Sequence, residues 1–269
     1  LAQCLQLAAN CTKHVFFPPG RYWLARTIVL SSANGTQGIK LSGSGREVSF
    51  LCKCANCTGG ASAPNFDQCG PSAGGLRGAR GPVIQVGDPK TPKGTDGVEI
   101  DGFTIRGADL GVHIVNSAGV SMARSEVLAG GYDGGDMDAA MIITNGFEFY
   151  FEEMAFWGGN AADYKDCEGR PKGGNASKCH SSPSVILRGV GAPNTSNFPL
   201  GGRSPPFRTA TAFNSTGLPG AYGTPYVYMI RFERTLFDFG GVQYQQWTDL
   251  DQVAVVWHHY LTCFSESAG

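Results

Sequence analysis

Charge is scarce in this chain. Asp, Glu, Lys and Arg make up 16% of its 269 residues, where about 25% is usual for a soluble domain. The net charge of −1 supplies no basic excess, which excludes a nucleic-acid surface built on phosphate neutralisation. No apolar run approaches the ~18 residues of a membrane-spanning helix, so no membrane span is expected. No apolar leader is visible, and the chain starts at Leu1 without Met; it is expected to be a mature or partial polypeptide. Helical spacing is almost absent. Only Leu1, Cys4, Leu5 and Ala8 fall at i, i+3, i+4 and i+7, which predicts one short helix over residues 1–12.

What is present is punctuation. The chain has 39 Gly and 15 Pro, set between short Val/Ile/Phe runs, a pattern of turns between strands rather than of disorder. Strands are predicted at 14–17 and 21–24 around a Pro-Pro-Gly turn, then at 28–30, 39–41, 48–51, 83–86, 98–100, 103–105, 112–115, 120–122, 141–143 and 147–151. Later ones are predicted at 185–187, 226–230, 236–239 and 253–257. Longer Gly- and Cys-rich stretches at 52–82, 158–183 and 190–225 are expected to be loop insertions.

The segments repeat. Val98 and Val120 lie 22 positions apart, as do Ile100 and Met122, and Gly111-Val-His-Ile-Val-Asn116 matches Ala140-Met-Ile-Ile-Thr-Asn145 at an offset of 29. A period in the twenties with three short strands per period is one coil of a β-solenoid. A coil cannot bury its own inner face, so coils stack about 4.8 Å apart around a narrow apolar core. Val112 and Ile114 are then expected under Met141 and Ile143. Val98/Ile100, Val120/Met122 and Phe147/Phe149 are expected as another inward column. Asn116 and Asn145 are expected to stack as an amide ladder at a turn. The fold class is all-β, a parallel β-helix in a single domain over 1–269.

Compartment is read from two residue types. Asn10, Asn34, Asn56, Asn175, Asn194 and Asn214 each open an Asn-X-Ser/Thr sequon, an excess that favours N-glycosylation and a secreted, extracellular location. The nine cysteines cluster as Cys4/Cys11, Cys52/Cys54/Cys57/Cys69 and Cys167/Cys179, with Cys263 left over. Disulfides within clusters are expected, because loops without a core of their own gain most from a covalent staple. Cys54 and Cys57 also have zinc-ligand spacing, but a sequon inside that loop and the oxidising context favour disulfides.

The predicted helix, then Val15-Phe-Phe-Pro-Pro-Gly-Arg-Tyr22, then Ile39-Lys-Leu-Ser-Gly-Ser-Gly45 and Val98-Glu-Ile-Asp-Gly-Phe-Thr-Ile-Arg-Gly107, resemble the opening of the pectate-lyase-like superfamily. The resemblance implies a single-stranded right-handed parallel β-helix with an N-terminal capping helix, and covers roughly residues 1–160. It also implies that the chain is clipped at its N-terminus, where the family carries a further acidic segment. The C-terminus stops inside a coil, so further polypeptide, another copy of the chain or another extracellular protein is expected to cover the coil ends.

Members of that superfamily include lyases, hydrolases, epimerases, tailspikes and non-enzymatic surface proteins, and fold alone does not choose among them. For a hydrolase, two carboxylates must face one sugar bond. Glu99, Ser121 and Glu148 are expected outward at equivalent positions on successive coils, with Glu99 and Glu148 two rungs (about 9.6 Å) apart and Asp101 beside Glu99. For a calcium-type lyase, Asp133, Asp136 and Asp138 offer oxygen ligands for Ca²⁺, with Arg106 and Arg124 on adjacent coils. Ca²⁺ is the one cofactor suggested. The Asn-Thr-Asp, Asp-Asp, Gly-His-Gly and Arg-Ile-Lys pattern of polygalacturonases is absent. Outward aromatics such as Tyr150 are candidates for stacking on sugar or on protein. The first expectation is therefore a secreted, N-glycosylated module with a structural or assembly role in a surface, wall or filament, with polysaccharide as a further partner. The alternative is a polysaccharide lyase or glycoside hydrolase.

Overall fold

The computed structural model describes residues 13–53, 79–88, 94–106, 108–128, 139–157, 184–190, 227–238, 242–247, 256–261 and 264–266. Every strand pairing among them is parallel. The first three strands are β1 (His14–Phe17), β2 (Gly20–Leu24) and β3 (Ile28–Leu30). They point into three different faces, and each face then collects one strand per coil. Face A adds β4 (Lys40–Gly43) and β8 (Glu99–Asp101) to β1. Face B adds β5 (Ser49–Lys53) and β9 (Thr104–Arg106) to β2. Face C adds β6 (Ala79–Val86) to β3, with β7 (Thr95–Asp96) at the corner between faces C and A.

Two long strands, β10 (Ala108–Ala123) and β12 (Ala139–Glu152), run through faces C and A without a break. Between and after them, β11 (Glu126–Leu128) and β13 (Ala155–Trp157) continue face B. The later coils add β14 (Val185–Val190) to face C, β15 (Val227–Glu233) to face A and β16 (Leu236–Asp238) to face B. They are followed in the same order by β17 (Val242–Trp247), β18 (Val256–Leu261) and β19 (Phe264–Glu266). This A–B–C cycling with parallel pairing is a β-helix.

Alternation within each strand sends one set of side chains inward, and the coil register stacks like on like. Val112 lies over Met141, which lies over Val185, and Ile114 over Ile143 over Leu187; all six are fully buried. On face A, Val120–Phe149–Ile230 and Met122–Phe151–Phe232 form columns, and Phe151 and Phe232 stack at 5.0 Å between ring centroids. On face B, Phe156 and Phe237 stack at 5.9 Å. Burying each such side chain contributes about 1.5–3 kcal/mol.

Two expectations change. Phe147 was expected inward; it pairs with Ala118 and is half-buried, while Phe149 and Phe151 take the inward positions. The reason is that β12 keeps the 29-residue offset past Asn145, so every later residue sits two positions on from the expected register. The stretch 52–82 is also not all insertion, because β5 extends through Lys53 and β6 begins at Ala79. The helix expected over 1–12, the insertion at 158–183 and the stretch 190–225 beyond Val190 lie outside the described residues.

Candidate functional site

The outward positions of face A form a file across the coils. Lys40 pairs with Glu99, Glu99 with Ser121, Ser121 with Tyr150 and Tyr150 with Arg231. Glu99 therefore meets Tyr150, not Glu148, two rungs on. Glu148 falls between the pairs Ala118–Phe147 and Val120–Phe149, opposite Gly119, with an exposed side chain and φ of 60°. The expected Glu99/Glu148 pair does not form; the two-position register difference on β12 separates them. Glu99 instead bonds Lys40 at 3.0 Å, both about half exposed.

Asp101 occupies a different setting. It ends β8, beside the corner where the chain turns from face A to face B. Stacked there are Gly102, Arg124 and Glu153, with φ of 73°, 45° and 53°. The left-handed bend swings these side chains outward, so Arg124 closes on Asp101 and donates to Oδ2. The turn Gly43-Ser-Gly-Arg46 of the neighbouring coil lies alongside. Together Gly43, Ser44, Gly45, Arg46, Asp101, Gly102, Arg124 and Glu153 line a cleft of about 570 Å³. Its glycines leave a bare backbone floor: a Cβ at Gly43 would sit 2.2 Å from the Gly102 carbonyl oxygen.

Two groups in the cleft are unspent. Asp101 Oδ1 is buried and has no hydrogen-bond partner, a costly state for a carboxylate oxygen unless a donor arrives. Arg46 is exposed at the rim and makes no ion pair among the described residues. Its charge reaches Glu126 on β11. Burial pushes the Glu126 carboxyl above its ordinary pKa, while the Thr104 hydroxyl, which donates to it at 3.3 Å, and Arg46 pull it down. The site combines an unpartnered acceptor, an exposed cation without an ion pair among the described residues and, nearby, a carboxyl whose pKa burial raises.

Above this cleft the corner is saturated. Arg234, with φ of 48°, bonds Glu152, and also Glu153 at 3.2 Å and Glu233 at 2.9 Å. The Tyr150 hydroxyl donates to Glu233 at 3.0 Å, and Arg231 lies over the Tyr150 ring. Glu233 is held below the usual carboxylate range by the Tyr150 hydroxyl first, then by Arg231 and Arg234. Burial and the Glu233 hydrogen bond raise the Tyr150 pKa. Tyr150 is thus occupied within its own chain, and its ring face is taken by Arg231.

Solved structures agree with this architecture. The surface protein and adhesin PfbA of Streptococcus pneumoniae aligns over 90% of this chain and 58% of its own, at 13% identity and a TM-score of 0.50. The chain has a parallel β-helix fold. A second PfbA structure aligns over 87% of this β-helix and 43% of its own chain, at 13% identity and a TM-score of 0.46. An alginate lyase from Paenibacillus sp. str. FPU-7 aligns over 90% and 66%, at 14% identity and 0.40. The chain spans about half the length of the solved structures it matches. No protein-family model and no curated protein sequence matches it.

The remaining expected sites of the β-helix divide by location. Asp133, Asp136 and Asp138 lie outside the described residues, as do Asn10, Asn56, Asn175, Asn194 and Asn214. Among the described residues, no group of three or more His, Cys, Asp or Glu is placed to hold a metal, and no helix is long and apolar enough to cross a membrane. Asn34 is exposed at the end of a short 3-10 turn (Ser32–Asn34), where Nδ2 donates to the Val29 carbonyl at 3.2 Å. Cys52 on β5 is fully buried and disulfide-bonded. Cys4, Cys11, Cys54, Cys57, Cys69, Cys167, Cys179 and Cys263 lie outside the described residues.

Sequence reasoning named Asp101, and named Arg124 only as a cation near the expected Asp133/Asp136/Asp138 set, but missed Arg46, Glu126 and Glu153. Only the run Ser42-Gly-Ser-Gly-Arg46, a turn of small residues ending in a cation, was visible as a signal.

Proposed function

We propose that the chain is an extracellular β-helix module that binds a polysaccharide at the Asp101 cleft, taking hydroxylated, anionic sugar units. The observation that carries this reading is a cleft lined by Asp101, whose buried Oδ1 has no hydrogen-bond partner, and by the exposed Arg46. A rotation of the Asp101 carboxylate brings that oxygen to a sugar hydroxyl, and a carboxylate or sulfate on the same or the next unit meets Arg46 in a charge-assisted pair. The sequons and clustered cysteines support a secreted, N-glycosylated and disulfide-stapled module.

A second reading, cleavage of the bound polysaccharide, is favoured by one observation. Glu126, hydrogen-bonded by Thr104 and within reach of the Arg46 charge at the cleft rim, has its pKa raised by burial, the direction a general acid requires. One experiment serves both readings. The full chain from a secretory host is titrated with polyuronates and with neutral glucans, and products are followed as new reducing ends. Binding of polyuronates that falls at least tenfold in Asp101→Asn is the expected result. Wild-type protein that binds no acidic glycan, or Asp101→Asn that binds as wild type, overturns the proposal. Turnover lost in Glu126→Gln converts the binding module into an enzyme.

A further inference from the structure

We propose that Phe16 is an aromatic platform for a further sugar unit of the same ligand, two rungs from Asp101. This rests on the cleft reading above and adds a subsite to it.

Strand alternation sends the two phenylalanines of β1 to opposite sides. Phe17 is buried, with edge-on contacts to Tyr22 at 5.1 Å and Phe103 at 5.3 Å. Phe16 points outward and is 57% exposed. A lone exposed apolar side chain is ordinary in itself; the position of Phe16 is what matters. Phe16 pairs with Ser42, and Ser42 pairs with Asp101. The three residues share one outward file, so Phe16 and Asp101 stand two rungs, about 9.6 Å, apart.

The ground between them is low and polar. Ser42 is 8% exposed, and its hydroxyl shares a 2.6 Å hydrogen bond with His14 Nε2. The exposed His14 ring therefore borders this ground and adds a polar edge to it. Each rung advances by about the length of one pyranose unit, so a chain anchored on Asp101 and Arg46 brings a later ring over Phe16. The apolar C–H face of a pyranose suits the face of a phenyl ring, and its equatorial hydroxyls stay in water. An oligosaccharide fits both ends of the strip, apolar at Phe16 and polar and cationic at Asp101 and Arg46. An apolar peptide fits only the first.

The test uses the full chain and two probes, galacturonate monomer and its tetramer, titrated by calorimetry. Phe16→Ala is expected to weaken tetramer binding about tenfold, the equivalent of a lost ring contact, and to leave the monomer unchanged. Phe16→Trp is expected to retain tetramer affinity, and Phe16→Leu to behave as Phe16→Ala, which separates an aromatic platform from simple apolar cover. Asp101→Asn is expected to weaken both probes. Tetramer affinity unchanged in Phe16→Ala, with Asp101→Asn still weakened, overturns the platform and leaves the cleft standing. Equal losses on monomer and tetramer in Phe16→Ala also overturn it. A tetramer that does not bind wild type overturns the cleft reading and the platform together.

Discussion

At the corner where β10 and β12 pass from face C to face A, Asn116 and Asn145 have φ of 48° and 56°. At the corner from face A to face B, Arg124, Glu153 and Arg234 have φ of 45°, 53° and 48°. The backbone is the same left-handed bend, and the side chains are of opposite character. The asparagines are 6% and 1% exposed, and Asn145 Nδ2 donates to Asn116 Oδ1 at 3.2 Å. The charged trio is exposed and alternates in sign, Arg over Glu over Arg, with Asp101 one rung below Arg124's neighbour Ala123. Each left-handed non-glycine residue costs about 1–2 kcal/mol. Asn reduces that cost through its short amide, which also satisfies its buried neighbour. At the exposed corner, water satisfies the backbone and only the order of charges matters. A buried corner therefore fixes residue identity, and an exposed corner fixes only sign. The exposed corner is the one that borders the cleft.

The largest expected effect tests the buried corner. Asn145→Ala places a Cβ-bearing residue without an amide in the left-handed bend and strips the donor from Asn116 Oδ1. The combined loss is about 2–4 kcal/mol, read from the urea midpoint, with Asn145→Gly recovering the backbone share. A loss no greater than that of Glu153→Ala would break the comparison. Arg234→Gln, at the exposed corner, is expected to lower the midpoint less, with the difference from wild type shrinking in 1 M NaCl because surface pairs are screened. A salt-independent loss would show that this corner also holds the fold together.

The smallest effect sharpens the chemistry beside that corner. Glu126 has a folded pKa above its ordinary value, so its neutral form is favoured by folding. Its contribution is greatest below the ordinary carboxylate pKa and is lost as pH rises through the raised one. Glu126→Gln is therefore expected to raise the thermal midpoint slightly at pH 7 and to match wild type near pH 4. Stabilisation that is greater at acid pH would reverse the assigned cause.

Much of the fold was legible. The 29-residue offset between two Asn-terminated runs placed Val112 over Met141 and Ile114 over Ile143 before any coordinates, and the structure keeps both. The face B strands Glu126–Leu128 and Ala155–Trp157 were not predicted, although the equally short strand at 103–105 was; each follows a long strand after only two residues, and no Gly or Pro marks the break. The site was less legible than the fold. Glu99 and Asp101 sit two apart in sequence and differ wholly in setting, one paired across the surface with Lys40 and one lodged in a cleft. The expected Glu148 partner failed on a register difference of two positions, which leaves inward–outward alternation intact and so escapes a pattern argument.

The sequence alone determined which residues face in and which chain segments turn, because alternation and turn chemistry are local properties of neighbouring residues. The tertiary structure decided which outward residues meet. Gly43, Asp101, Arg124 and Glu153 come from four coils separated by segments of unequal length, and only the hydrogen-bonded register between coils, set by the packing of their inward faces, brings them to one cleft.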